Sequence, residues 1–167
     1  TYSKNKLVSK VNFNSEIDNS EINSVFFDGN YYWLATNKAL WKLKELGDNT
    51  TEIIKVEKNN FKSVIAHNNH IIAATFDDGV FIIDKATTDN RFLMPEPSRI
   101  NSMSIQNEDE LWITTDNEGV TIVETTTFSE IKRLNTASGL ATPHIRKVIN
   151  DENGNIWIAT SGGGFYK

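Results

Sequence analysis

The sequence predicts an all-β fold: a β-propeller built of four blade-like repeats, each a four-stranded antiparallel sheet. Three observations carry this prediction. A tetrapeptide ending in threonine recurs as Trp33-Leu34-Ala35-Thr36, Ile72-Ala73-Ala74-Thr75, Trp112-Ile113-Thr114-Thr115 and Trp157-Ile158-Ala159-Thr160, with threonines 39, 40 and 45 residues apart. An apolar marker (Ile22, Phe61, Ile100 or Ile145) precedes those threonines by 14, 14, 15 and 15 residues. Turn residues interrupt every copy at matching places. Two marks held in step at a period of about 40 residues are the signature of one supersecondary unit copied along a chain.

The elements follow in order. In the first copy, Ile22–Phe27 is a short apolar run, Asp28-Gly29-Asn30 a turn, residues 31–36 an aromatic-rich strand, and Asn37-Lys38 a second turn. Residues 40–43 and 52–56 complete the set. The second copy is expected to place strands at 63–66, 71–75, 80–84 and 91–94. The third places them at 102–105, 110–115, 120–124 and 130–134, and the fourth at 146–149, 156–160 and 165–167. The fourth copy thus has three strands before Lys167, while the strand-like stretch 7–13 precedes the first marker and is expected to be an outer strand. Connections this short cannot hold helical crossovers, so consecutive strands pair antiparallel as a meander. The expected organisation is a single propeller segment over 1–167, with blades at about 22–56, 61–94, 100–134 and 145–167.

Glycine marks the turns. Asp28-Gly29, Asp78-Gly79, Glu118-Gly119 and Asn153-Gly154 supply the positive φ that a tight turn needs. Gly79, Gly119 and Gly164 precede the third strand in copies two to four, whereas copy one has Ala39 there, which predicts a different turn type. The inner strands read as near-continuous apolar runs, the pattern of sheets covered on both faces. Antiparallel four-stranded sheets stacked radially meet that demand. No window shows helical apolar spacing.

Composition excludes several functions. The net charge is −5 with no Lys/Arg cluster, which argues against nucleic acid. There is no cysteine, hence neither a disulfide framework nor thiolate chemistry. No apolar run reaches the roughly 20 residues of a spanning helix, so no direct membrane insertion by this segment is expected. Residues 1–10 are polar and lack the apolar core of a signal peptide.

The blade pattern I-x-S-(apolar), then D-x-x-G-x-(I/L)-W-(apolar)-x-T-x-x-G, resembles the two-component regulator propeller repeat. Copy four shows it best, from Gly139-Leu140 and His144-Ile145 through Asp151-Glu152-Asn153-Gly154-Asn155-Ile156-Trp157-Ile158-Ala159-Thr160 to Gly164. Copy three has Ile100-Asn101-Ser102 with Leu111-Trp112, and copy one has Ile22-Asn23-Ser24 with Trp33. Copy two departs most, with Ile72 for the Trp and His67-Asn68-Asn69-His70 for the acidic turn. The resemblance implies a piece of a larger ring, commonly of about seven blades, in the periplasmic sensor half of a hybrid two-component histidine kinase of the Bacteroidetes type. It implies an oligosaccharide ligand. It also implies further propeller and immunoglobulin-like domains, a membrane helix and a kinase elsewhere in the parent protein. A stand-alone or secreted scaffold is the alternative. A magnesium-dependent enzyme of the streptogramin lyase kind is the least expected, because its histidine base has no match here.

His67 and His70 flank Asn68-Asn69, a hairpin turn, and are read as a turn and not a zinc pair. Asp151 to Asn155 has the acidity of a calcium loop but not its spacing, with Ile156 and Gly162 where glycine and glutamate belong. Acidic pairs such as Asp77-Asp78 fall on turns, and no nucleophile stands beside a base. No catalytic residue, metal or cofactor is expected. Trp33, Trp112 and Trp157 recur at one position and are read as core between blades, whereas Trp41 lies outside the pattern and is expected at an exposed contact or ligand surface.

In a propeller, the loops entering the first strand and those joining the second and third share one face around the channel. That rule places Asn23, Lys62, Asn101 and Arg146 at the inner rim, with Asp77, Asp116 and neighbouring Asn37, Lys38, Asp78, Asn117 and Glu118 around them. These are the expected ligand-binding residues. An open arc would expose apolar blade faces. The chain is therefore expected to seal through 7–13 or to pair as a homodimer.

Overall fold

The computed structural model describes residues 15–47, 50–93 and 99–167. Residues 7–13, expected as an outer strand, lie outside the described residues, as does Met94. A four-residue helix, α1 (Ser15–Asp18), leads into four antiparallel meanders. Blade one holds β1 (Ile22–Phe27), β2 (Tyr32–Thr36), β3 (Leu40–Gly47) and β4 (Thr50–Glu57). Blade two holds β5 (Phe61–His67), β6 (His70–Thr75), β7 (Val80–Asp84) and β8 (Asn90–Phe92). Blade three holds β9 (Ile100–Gln106), β10 (Glu110–Thr115), β11 (Val120–Glu124) and β12 (Glu130–Leu134). The fourth sheet has three strands: β13 (Ile145–Asn150), β14 (Ile156–Thr160) and β15 (Phe165–Tyr166).

Each blade starts at its marker, one or two residues earlier than apolar content alone suggests in copies two to four. The reason is register. The marker pairs with the recurring threonine, and one extra residue then bulges before pairing resumes: Ile22↔Thr36 and Ser24↔Ala35, Phe61↔Thr75 and Ser63↔Ala74, Ile145↔Thr160 and Lys147↔Ala159. Blade three does the same, with Ile100↔Thr115 and Ser102↔Thr114. The skipped residues are Asn23, Lys62, Asn101 and Arg146.

The threonines close the second turn of every blade. Thr75 Oγ1 donates to the Gly79 carbonyl (3.0 Å) and accepts from the Asp78 N–H (2.8 Å). Thr36, Thr115 and Thr160 do the same with Ala39, Gly119 and Gly164. Copy one spans this turn in one residue fewer, which removes the left-handed position that Gly79 (φ 87°), Gly119 (88°) and Gly164 (76°) occupy. Ala39 therefore fits where the other copies need glycine.

Blades pack face to face in chain order. Trp33, Ala35 and Leu40 of blade one bury against Phe61, Val64, Ile71, Ala73 and Ile83 of blade two. Ile72, Ala74, Val80 and Ile82 pack on Ile100, Met103, Leu111, Ile113 and Phe128 of blade three. Trp112, Val120 and Ile122 pack on Ile145, Val148 and Ile158 of blade four. Each large side chain so buried contributes about 1.5–3 kcal/mol. This two-sided cover explains the continuous apolar runs of the inner strands.

Trp41 is a correction. It is 3% exposed, enclosed by Ile17 of α1 with Leu34, Ala39 and Leu43, and the Lys55 ammonium lies over its ring at 4.9 Å. The helix that covers it has no counterpart in the repeat pattern, so its burial could not be read from spacing.

Candidate functional site

The rim is built by two loops per blade that backbone hydrogen bonds tie together. The residue after each threonine donates its N–H to the residue before each marker: Asn37 to Glu21 (3.0 Å), Phe76 to Asn60 (3.1 Å), Asp116 to Arg99 (3.0 Å) and Ser161 to His144 (2.8 Å). The entry loop and the second turn therefore share one end of every blade, as the placement rule requires.

The bulge turns one polar side chain per blade out of the strand ladder, a common use of bulges at rims. Three of those side chains reach the next blade. Asn23 Nδ2 donates to the Phe61 carbonyl (2.8 Å), Lys62 Nζ to the Ile100 carbonyl (2.8 Å), and Asn101 Nδ2 to the Ile145 carbonyl (2.8 Å). In each case the acceptor is the marker of the following blade. Three of the four expected rim residues are thus latches between blades.

Across blades two to four the latches merge into a polar chain. Lys62 Nζ also reaches Asn101 Oδ1 (3.3 Å), and Asp116 Oδ1 lies 3.5 Å from both Asn101 Nδ2 and Arg146 Nη1. Arg146 Nη2 donates to Ser161 Oγ (3.2 Å), and His144 Nδ1 meets the Asp116 carbonyl. Burial pulls the Lys62 ammonium below its ordinary range; the Asp116 charge opposes this, and the Arg146 and Arg99 charges reinforce it. Arg146 is 56% exposed, so its Asp116 pair is worth about 1 kcal/mol or less and its guanidinium can be redirected at little cost. Asp77 sits apart from this chain and pairs with exposed Arg99 at 3.3 Å.

Arg99, His144 and Ser161 join the rim although the sequence reading did not single them out. The signal was available: each stands directly beside a marker or a threonine. His67 and His70 face each other across the β5–β6 hairpin, whose turn residue Asn68 has φ 48°. Among the described residues no group of three or more His, Cys, Asp or Glu side chains could hold a metal ion.

The tryptophans have a second function in the turns. Asp28 accepts from the N–H groups of Asn30 (2.9 Å) and Tyr31 (2.8 Å) and from Trp33 Nε1 (2.8 Å). Asp151 does the same for Asn153, Asn155 and Trp157 Nε1 (2.9 Å), and in blade three Glu110 takes the Trp112 Nε1–H (2.7 Å). Copy two has neither the Trp nor the acid at these positions, so the two residues come and go together.

Fold and rim define the chain as an arc of propeller blades with a polar inner edge. Residues 139–162, the stretch that carries the fullest copy of the motif, match the two component regulator propeller family. No curated protein sequence matches it. Among solved structures it is similar to the extracellular domain of BT3049, a hybrid two component system of B. thetaiotaomicron, with TM-score 0.74 and 18% identity over 88% of this chain. The chain spans 20% of that domain's length. The designed protein Ika4 matches at TM-score 0.69 and 10% identity, over 89% of this chain and 90% of its own. The β-propeller domain of Cps50 (Swd1) from Myceliophteria thermophila matches at TM-score 0.61 and 17% identity, over 83% and 49%. At these identities the likeness concerns the fold. No helix among the described residues is long and apolar enough to cross a membrane.

Proposed function

We propose that this chain is part of the periplasmic sensing propeller of a hybrid two-component regulator, and that its rim binds a hydrophilic ligand of the oligosaccharide class. The observation that carries the reading is the two component regulator propeller match at residues 139–162, the blade that supplies Arg146 to the rim. The rim chemistry supports it. Asn101, Asp116, Arg146 and Ser161 offer amide, carboxylate, guanidinium and hydroxyl groups within one connected network, a set suited to sugar hydroxyls. Arg146 is the exposed donor of that set, held only by weak contacts. The role is recognition and not chemistry. Ligand seated across blades three and four would alter how this rigid arc meets neighbouring domains, and a histidine kinase outside this chain would read the change.

The test is an amide-resolved NMR titration of the chain with a panel of defined neutral and uronate-containing oligosaccharides. The expected result is a saturable shift confined to residues around Asn101, Asp116, Arg146 and Ser161, lost in Arg146→Ala and Asp116→Asn variants that keep the native spectrum elsewhere. Saturable binding that both variants retain, or no binding across the panel, overturns the rim assignment.

A further inference from the structure

The repeats act as internal controls for one another at the rim. Asn23, Lys62, Asn101 and Arg146 occupy the same bulged position, and the first three donate to the marker carbonyl of the following blade. Asn23 and Asn101 make that bond with a neutral amide at 2.8 Å, the distance at which Lys62 makes it. The latch therefore needs no charge. Lys62 supplies one all the same, although burial disfavours an ammonium there and pulls it below its ordinary range. No carboxylate pairs with it among the described residues. Its Nζ meets the Ile100 carbonyl, Asn101 Oδ1 at 3.3 Å and the Phe76 ring at 5.5 Å. The charges that act on it are one acid, Asp116, and two further cations, Arg146 and Arg99. Arg99 is already matched by Asp77. That leaves Lys62 and Arg146, on the blades either side of Asn101, with Asp116 alone between them.

We infer that the ligand of this rim carries an acidic group, the carboxylate or sulfate of a sugar, and that Lys62 and Arg146 receive it. The inference rests on the ligand reading of the rim and narrows its class. Two of the three ammonium protons of Lys62 go to Ile100 and Asn101, and the third has no oxygen partner among the described residues. An oxyanion takes that proton and supplies the counter-charge that the half-buried ammonium lacks. Arg146 is held only by Asp116 at 3.5 Å and Ser161 at 3.2 Å, so it turns to the same group at little cost. Hydrogen bonds with charge on both sides are about twice as strong as neutral ones, which favours an acidic sugar over its neutral counterpart. The Asn101 amide and the Ser161 hydroxyl, next to the two cations, are left for the hydroxyls of the same ligand. The net charge of −5 gives the chain no general attraction for acids, so any preference for one is local to this edge.

Calorimetric titration of the 167-residue chain with a tetragalacturonate, its full methyl ester and a sulfated carrageenan tetrasaccharide tests it. The first two share a backbone, and only one is charged. The expected result is that an acid binds at least about tenfold more tightly than the ester, the worth of one charge-assisted hydrogen bond, and the two acidic arms tell carboxylate from sulfate. Raising sodium chloride from about 0.05 to about 0.5 M should narrow that gap. Lys62→Asn keeps a latch donor of the kind that Asn23 and Asn101 use. It should therefore keep the melting temperature of the chain while the acid-to-ester ratio falls about tenfold, toward one. Acids and ester bound alike overturn the inference and leave the ligand reading standing. No binding by any of the three overturns both. A preference that Lys62→Asn retains in full overturns the role given to Lys62.

Discussion

Deleting the Asp28 carboxylate isolates what one acidic turn contributes to the blade it closes. The Trp33 ring is fully buried, so its Nε1–H finds no replacement partner once the carboxylate is gone. A hydrogen bond to a charged acceptor is worth about 1.5–3 kcal/mol net, and stranding a buried donor costs a similar amount. The N–H groups of Asn30 and Tyr31 lose the same acceptor, but Asn30 is exposed and can turn to water. Loss of these turn bonds resembles loss of a helix cap and costs about 1 kcal/mol. Asp28→Ala is therefore expected to destabilise the chain by about 2–4 kcal/mol. In a Trp33→Phe background the indole bond no longer exists, and the same substitution should cost only about 1 kcal/mol. The double-mutant cycle, measured by urea unfolding followed by circular dichroism, should give a coupling of about 1.5–3 kcal/mol. Asp28→Asn keeps an acceptor without its charge and should lose about half of that coupling. A coupling below about 0.5 kcal/mol is what independent sites show, and it would refute the pairing of acid and tryptophan as the reason for their joint recurrence.

Three further outcomes are expected. The Asp151 carboxyl is held down to about 2 by the hydrogen bonds of Trp157 and Asn155. Because its folded pKa lies below the ordinary 3.8, its stabilisation is complete above about pH 4 and is lost as pH falls toward 2; Asp151→Asn should flatten that part of a curve of melting temperature against pH. Thr75→Val removes a fully buried hydroxyl that makes two turn bonds and should cost about 1–3 kcal/mol in urea unfolding, more than Thr160→Val at its half-exposed site. Gly119→Ala combines a φ of 88° with a collision between the new Cβ and the Leu134 carbonyl, whereas Gly154→Ala (φ 76°) meets nothing within 4 Å. Gly154→Ala should lower stability by the left-handed penalty of about 1–2 kcal/mol, and Gly119→Ala by clearly more.

The blades were legible because marker and threonine are paired across β1–β2 and its equivalents, so a fixed spacing in sequence is a fixed register in space. The anomaly at Ala39 was legible for the same reason, since a turn one residue shorter dispenses with the left-handed glycine. Trp41 was misread because α1, which covers it, belongs to no repeat. The rim residues were placed from propeller geometry, but their latching was not foreseen. The bulge that frees Asn23, Lys62 and Asn101 is a register shift inside each first hairpin, but the carbonyl each side chain reaches lies on the next blade, about 40 residues away, which no local pattern reports. A polar residue after every marker (Asn, Lys, Asn, Arg) was the available hint.

The latches also give the arc a direction. In these three latches the donor belongs to the earlier blade and the acceptor to the later one. A chain emerging from the ribosome presents Asn23 well before Phe61, and blade one waits with its fastening unmade until blade two has emerged. Assembly from the N-terminus is then a zipper that closes one tooth behind the growing end. Trimming from the C-terminal side leaves an idle donor, while trimming from the N-terminal side leaves only a carbonyl.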